Sequence, residues 1–208
     1  MAKAKSVFFC QNCGAESSKW MGRCPQCGEW NTLVEEIIKE TKHSRTPSRG
    51  VGNQTAKPTA LPDIEISSIA RVSTTFGEID RVLGGGIVPG ALMLLGGDPG
   101  IGKSTLLLQV SQKVADTVGA VLYASGEESQ LQLKLRAERL HINSERLQVI
   151  ADTDLDHILE QADAMTPSLL VIDSIQTMYT GDIDAAPGSV SQVRECTSRL
   201  LRFCKERN

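Results

Sequence analysis

From residue 91 onward, short apolar runs alternate with stretches in which apolar residues recur every three or four positions. The runs are residues 91–95, 120–125, 147–150 and 169–173, bounded by glycine or polar turn residues, as buried parallel strands are. Leu106, Leu107, Val110 and Val114 share one helical face, and residues 131–140 and 155–165 read as two further helices. Val190, Val193, Thr197, Leu200 and Leu201 place a last helix over 189–207. Upstream, Thr75-Phe76-Gly77-Glu78 has capping-box spacing ahead of Ile79, Val82 and Leu83, and Gly84-Gly85-Gly86 stops that helix. The alternation predicts an α/β core over residues 67–208, a mostly parallel sheet flanked by helices.

The beginning of the chain lacks this rhythm. Cys10-Gln11-Asn12-Cys13 and Cys24-Pro25-Gln26-Cys27 are two C-x-x-C pairs with ten residues between them, followed by Gly14 and Gly28. The glycines let each turn close, and two such knuckles offer four thiolates suited to tetrahedral Zn²⁺. A redox site needs one such pair, not two. Residues 1–38 are too few to bury a sufficient core, so metal must supply the folding free energy, roughly 10–16 kcal/mol in zinc-finger peptides. Phe9, Trp20 and Trp30 are expected to pack around the metal; the alternative is a partner surface exposing Lys19, Trp20 and Arg23. Residues 39–66, rich in Ser, Thr, Pro, Gly and basic residues, read as a flexible linker with His43, Arg45 and Arg49 in solvent.

Charge refines this picture. The 208-residue chain has a net charge of −3, so no global basic field exists. Residues 1–60 carry nine Lys and Arg against five Asp and Glu, or +4; the rest carries thirteen against twenty, or −7. Any nucleic-acid contact is therefore local, with the N-terminal third favoured. No apolar run reaches the ~18 residues of a membrane helix, and no secretory signal opens the chain. The expectation is a cytoplasmic protein with no membrane partner, whose cysteines stay reduced. Cys196 and Cys204 fall on or near the apolar face of the last helix as packing residues. Arg194, Arg199, Arg202 and Arg207 give that helix a basic side, read as solvated, with nucleic-acid or subunit contact the alternative.

The sharpest chemistry follows residues 91–95. Gly97, Asp98, Pro99, Gly100, Ile101, Gly102, Lys103 and Ser104 fit G-x-x-x-x-G-K-[ST] at every fixed position, with Thr105 beginning the helix. Glycines let consecutive N–H groups turn toward one point, and the helix N-terminus adds its partial positive charge. Lys103 can reach the β- and γ-phosphates of ATP, and the Ser104 hydroxyl can ligate Mg²⁺. The run 120–125 ends in Gly126-Glu127-Glu128-Ser129, which brings two carboxylates to a strand tip, where an α/β sheet lines its ligand crevice. Glu127, ahead of Glu128, is the expected base for the attacking water; the bland alternative is a pair of acids opening a helix capped by Ser129. Leu169–Asp173 ends in the second nucleotide signature, with Asp173 supporting Mg²⁺. Ser174 and Gln176 lie just beyond as γ-phosphate sensors.

Together these features resemble the bacterial RadA (Sms) family of DNA-repair ATPases. The resemblance rests on the four-cysteine ribbon, Asp80-Arg81-Val82-Leu83-Gly84-Gly85-Gly86, the phosphate loop with Leu106-Leu107-Leu108-Gln109, Gly126-Glu127-Glu128-Ser129 and Val171-Ile172-Asp173-Ser174-Ile175-Gln176. Pro187-Gly188-Ser189-Val190 and Gln192-Val193-Arg194-Glu195 extend it. It implies a RecA-like P-loop ATPase core behind a small zinc ribbon and ATP-dependent processing of branched recombination intermediates. It also implies binding of single-stranded or branched DNA, recombinase or repair partners, and a ring, hexameric in the full-length form. The motif match would make Lys103, Glu127 and Asp173 the catalytic set. Members continue past the Asp173 strand with a further strand, a Lys-Asn-Arg-Phe-Gly element and a Lon-protease-like domain. The sequence is therefore expected to be the N-terminal portion, with a ribbon and an incomplete core. Two other readings stay open: a zinc- and nucleotide-binding module that docks DNA or a partner without efficient turnover, and a signalling or clock-type ATPase of the same fold.

Overall fold

The computed structural model describes residues 4–39, 59–63, 71–182 and 185–207. Most of the expected linker, 40–58 and 64–66, and the start of the expected core at 67 lie outside the described residues.

The ribbon is a three-stranded antiparallel sheet of β1 (Ala4–Cys10), β2 (Glu16–Ser17) and β3 (Leu33–Lys39), in the order β2-β1-β3. Register places Cys10 opposite Leu33 and Phe9 opposite Val34. The interior is small: Cys10, Cys24 and Leu33 are buried, with Phe8 and Ala15 against them. Phe9 is also buried, but Trp20 and Trp30 are 59% and 66% exposed. The expectation that both indoles pack around the metal is therefore overturned; the module is too thin to cover them.

The α/β core contains α1 (Gly77–Val82), α2 (Lys103–Thr117), β4 (Val121–Ser125), α3 (Gln130–Arg139), β5 (Leu147–Ala151), α4 (Leu155–Met165), β6 (Leu169–Asp173) and α5 (Val190–Glu206). Its sheet is parallel, in the order β5-β4-β6. The period-two alternation sends residues to both faces. Ala124, Ile150, Leu170 and Ile172 pack with Leu155, Ile158, Cys196 and Leu200 of α4 and α5. Tyr123, Val149 and Val171 pack with Leu108 of α2 and Leu133 of α3. Both faces are thus covered by helices, which explains why these strands read as continuous apolar runs. Cys196 is fully buried there as a packing residue, and Cys204 is half-buried.

Residues 91–95 form no strand. All are exposed, Leu94 by 87%, and the edge of β6 away from β4 carries no partner among the described residues. A strand exists only through its neighbour's ladder, so an apolar run without one stays irregular. The capping box at Thr75 also fails. α1 begins after Phe76 with no side-chain cap, and Thr75 sits at φ +64°. Asp80 prevails instead: its carboxylate accepts from the Ser73 hydroxyl (2.6 Å), the Thr74 amide (2.8 Å) and the Thr74 hydroxyl (2.7 Å). Those bonds hold the Asp80 carboxyl below its usual range, the Ser73 bond foremost. Val82, expected on the apolar face, is 76% exposed.

The basic side of α5 is not simply solvated. Arg199 pairs with Asp156, Asp182 and Glu195, and Arg207 with Asp163. Arg194 donates to the Gly14 carbonyl (3.3 Å) and faces Glu16 (3.8 Å), so the first cysteine knuckle rests on the start of α5. No helix among the described residues is long and apolar enough to cross a membrane.

Candidate functional site

The phosphate loop turns where glycine is needed. Gly100 and Gly102 adopt φ +78° and +103°, which side-chain-bearing residues rarely accept. Gly102 is the N-cap of α2 and supplies no side chain, so the first amides of that helix carry no side-chain cap. Lys103 folds back over the loop, its Nζ donating to the carbonyls of Gly97 (2.7 Å) and Asp98 (2.9 Å). Asp98, Pro99 and Ile101 are exposed, while Ser104 and Thr105 stand half-buried in the first turn of α2.

Packing sets the direction of α2. Val114 and Ala115, late in the helix, cluster with Val121, Leu147 and Leu169, the first residues of the three parallel strands. Leu108, earlier in it, clusters with Tyr123 and Val171 at mid-strand. The helix therefore runs antiparallel to the strands. At about 1.5 Å per residue, Lys103 lies roughly 16 Å back from Val114, comparable to the length of a five-residue strand. The uncapped end of α2 thus points toward the strand tips, where Glu127 and Asp173 stand.

Those tips are joined. Ser125 pairs with Asp173 in register, and the Gly126 amide donates to the Asp173 carbonyl (3.0 Å). The Ser174 hydroxyl donates to Glu127 Oε1 (2.6 Å). Glu128 is instead bound by Arg136 (2.5 Å), and its amide donates to Ser125 Oγ (3.0 Å). Glu127 is exposed and makes no ion pair among the described residues. Ser129 caps α3 in a capping box with Gln132, as expected, while Glu127 and Glu128 precede that cap and lie outside the helix. Gln176 is exposed and joins neither tip by a side-chain bond.

Tyr123 was not legible as a site residue. It is fully buried in β4, opposite Val171, and its hydroxyl donates to Asp173 Oδ2 (2.5 Å). Asp173 is the diagonal cross-strand neighbour two residues on, within reach of an aromatic side chain. Burial, then the Asp173 carboxylate, pushes the Tyr123 hydroxyl well above its ordinary range, so it stays a donor at any working pH. One oxygen of Asp173 is thereby occupied and its orientation fixed. Gly126 is likewise forced by packing: a Cβ there would lie 2.8 Å from Thr177 Cβ.

At the other end of the chain, the sulfurs of Cys10, Cys13, Cys24 and Cys27 lie within 4.8 Å of one another. The Cys10–Cys27 and Cys13–Cys24 pairs are 3.7 Å apart. Four sulfurs about 2.3 Å from a central ion stand about 3.8 Å apart, so the donor set fits tetrahedral Zn²⁺. The Thr32 hydroxyl at 3.2 Å pulls Cys10 down to about 6, and the Glu29 amide lowers Cys27. Cys13 is pushed up to about 12; the Ala15 amide acts against that shift, and burial with the three neighbouring thiols outweighs it.

Comparison with known proteins agrees with this geometry. A rubredoxin metal-binding domain model matches residues 8–35, and an AAA domain model matches residues 55–208. The chain belongs to the AAA-domain family. It is 56% identical over 206 residues to the DNA repair protein RadA of Bacillus subtilis (strain 168), covering 99% of this chain and 45% of that protein. It is 52% identical over 210 residues to RadA of Listeria monocytogenes (46% of that protein) and 49% over 209 residues to RadA of Streptococcus pyogenes serotype M3 (45%). The chain spans about half the length of these curated relatives. Against this AAA-domain background, the contacts that motif reading passed over are those among Tyr123, Asp173, Ser174, Glu127, Arg136 and Glu128. The one signal was a tyrosine placed inside an otherwise aliphatic strand, which needs a partner for its hydroxyl.

Proposed function

We propose that the chain binds Mg·ATP at the loop 97–105 and hydrolyses it as the ATPase part of a DNA-repair protein. The observation that carries this reading is the uncapped N-terminus of α2 directed at strand tips that bear Asp173 and Glu127. The amides after Gly102 would bind the phosphates, and Lys103 would exchange its two carbonyl partners for phosphate oxygens. Ser104 and Asp173 would hold Mg²⁺, which when bound supplies charge neutralisation between the β- and γ-phosphates. Tyr123 would leave Asp173 one oxygen for that task. Glu127, steered by Ser174, would orient water, and Ser174 would sense the γ-phosphate through the same bond. Zn²⁺ on Cys10, Cys13, Cys24 and Cys27 would fold a ribbon of residues 1–38, joined by a linker of 39–66 to a core of 67–208.

The repair role rests on relatives whose name is DNA repair protein RadA. Branched intermediates as substrate, single-stranded or branched DNA as partner, recombinase partners and a hexameric ring are finer proposals that rest on the family resemblance. A second reading has its own support: residues 91–95 lie exposed and outside the sheet, so the loop lacks the anchored strand that turnover needs. The experiment is phosphate release with and without single-stranded DNA. DNA-stimulated release supports the first reading. Nucleotide binding without release, DNA present, selects the second, and stable phosphate on a serine or threonine would defeat both.

A further inference from the structure

The ribbon buries Cys10, Cys24, Leu33 and Phe9 and leaves its largest side chains outside. Both tryptophans of the chain, Trp20 and Trp30, are more than half exposed, with Met21 beside them. They are not scattered. A Cβ on Gly22 would stand 3.8 Å from the nearest ring atom of each, so the two indoles flank one backbone position. The backbone beneath is fixed: Arg23 and Trp30 form an antiparallel bridge, the Asn31 amide donates to the Gly22 carbonyl (2.8 Å), and the Cys24 amide donates to the Glu29 carbonyl (2.8 Å). Metal on Cys24 and Cys27 would lock that turn from below. The Arg23 guanidinium lies over the Trp30 ring at 5.8 Å, and its Nε donates to the Gly28 carbonyl (2.7 Å). Lys19, next to Trp20 in sequence, is exposed. Of the nearby acids, Glu16 faces Arg194 and Glu29 stands next to Trp30 in sequence.

We infer that this surface is a stacking platform for unpaired bases of single-stranded nucleic acid. Two neighbouring indoles on a hydrogen-bonded turn offer π-faces that accept any base, and Lys19 and Arg23, each adjacent to the pair, supply positive charge for the backbone phosphates. Residues 1–38 balance four Lys and Arg against four Glu, and residues 39–60, which follow the ribbon in sequence, add five against one, a basic stretch that phosphates match, whereas the −7 of the remainder repels them. A purely apolar partner would explain the rings but not the two cations flanking them. The inference rests on the DNA-acting half of the reading above and needs no ATP turnover.

Because both tryptophans of the chain belong to the patch, tryptophan emission excited apart from tyrosine reports on it alone. The test titrates the zinc-loaded chain with a dye-labelled oligo(dT) of about 20 nucleotides, following dye anisotropy and tryptophan emission together. The expected result is quenching that saturates with the anisotropy. Trp30→Ala and Trp20→Ala should each weaken binding roughly tenfold, with zinc content unchanged, and Trp30→Phe should restore part of the loss. Lys19→Ala should lower the salt dependence, as removal of one phosphate contact does. A rise in anisotropy with no change in emission, or a double alanine variant that binds like wild type, overturns the platform while leaving a DNA-acting protein. The patch would then be a protein-facing surface. No anisotropy change at all overturns both.

Discussion

Removing one oxygen atom from Tyr123 tests how the Asp173 carboxylate is held. The hydroxyl is fully buried and donates to Asp173 Oδ2 at 2.5 Å, so Tyr123→Phe deletes a hydrogen bond to a charged group without changing the ring's packing. Such bonds contribute about 1.5–3 kcal/mol. Asp173 is half-buried, and water can replace the lost donor, so a cost near the lower end, about 1.5 kcal/mol, is expected. The sign should change in an Asp173→Ala background. There the buried hydroxyl has already lost its acceptor, at a cost of about 1–3 kcal/mol, and replacing Tyr123 by Phe should be neutral or stabilising. Urea unfolding of the four proteins, without nucleotide, measures the cycle. Far-UV circular dichroism is the right signal, because both tryptophans lie in the ribbon and do not follow the core. A coupling of about 1 kcal/mol or more is expected. Additivity within about 0.4 kcal/mol would refute the bond.

Other substitutions probe other parts. Freshly purified chain should carry one zinc, and Cys10→Ser should lose it and unfold the ribbon while the α/β core keeps its melting transition; wild type without zinc would contradict the four-sulfur site. His157 Nδ1 lies 2.6 Å from Asp152 Oδ2, and that bond raises the imidazole's pKa above its ordinary value of 6.5. Its contribution to stability is therefore complete below pH 6.5 and lost as pH rises through the folded-state value. Asp152 is lowered, by the Asp154 amide and then His157, so its own contribution is present above about 3.8 and lost as pH falls through its folded value. An NMR titration midpoint for His157 at or below 6.5, or one unmoved by Asp152→Asn, would contradict this pairing. Gly126→Ala should cost about 1–3 kcal/mol by forcing the strand tip away from Thr177; a melting curve identical to wild type would show that the turn has room.

Much of the core was readable because its strands are covered on both faces. Residues 120–125, 147–150 and 169–173 had to be apolar at nearly every position, and all three became strands of one sheet. The helix over 155–165 has its expected bounds, because Asp154 supplies the cap, accepting from the Asp156 and His157 amides. The run at 91–95 carried the same local signal and failed, since a strand depends on a partner that local pattern does not encode. The capping box at Thr75 failed for a different reason: Asp80, five residues on in sequence, draws in the Ser73 and Thr74 hydroxyls and the Thr74 amide, and the Thr75 amide donates to Ser73 Oγ instead. The tryptophans misled because this ribbon closes around Cys10, Cys24, Leu33 and Phe9 and has no interior left for two indoles. Cross-strand bonds such as Tyr123 to Asp173 depend on register, which motif spacing does not carry.

The claim on which the account turns is that the uncapped start of α2, with Lys103, grips a triphosphate. Equilibrium binding of a fluorescent ATP analogue with Mg²⁺, to wild type and to Lys103→Ala, measures it directly. Loss of a charge-assisted contact predicts roughly 10- to 100-fold weaker binding with an unchanged melting transition. Equal affinity in the two proteins would contradict the site.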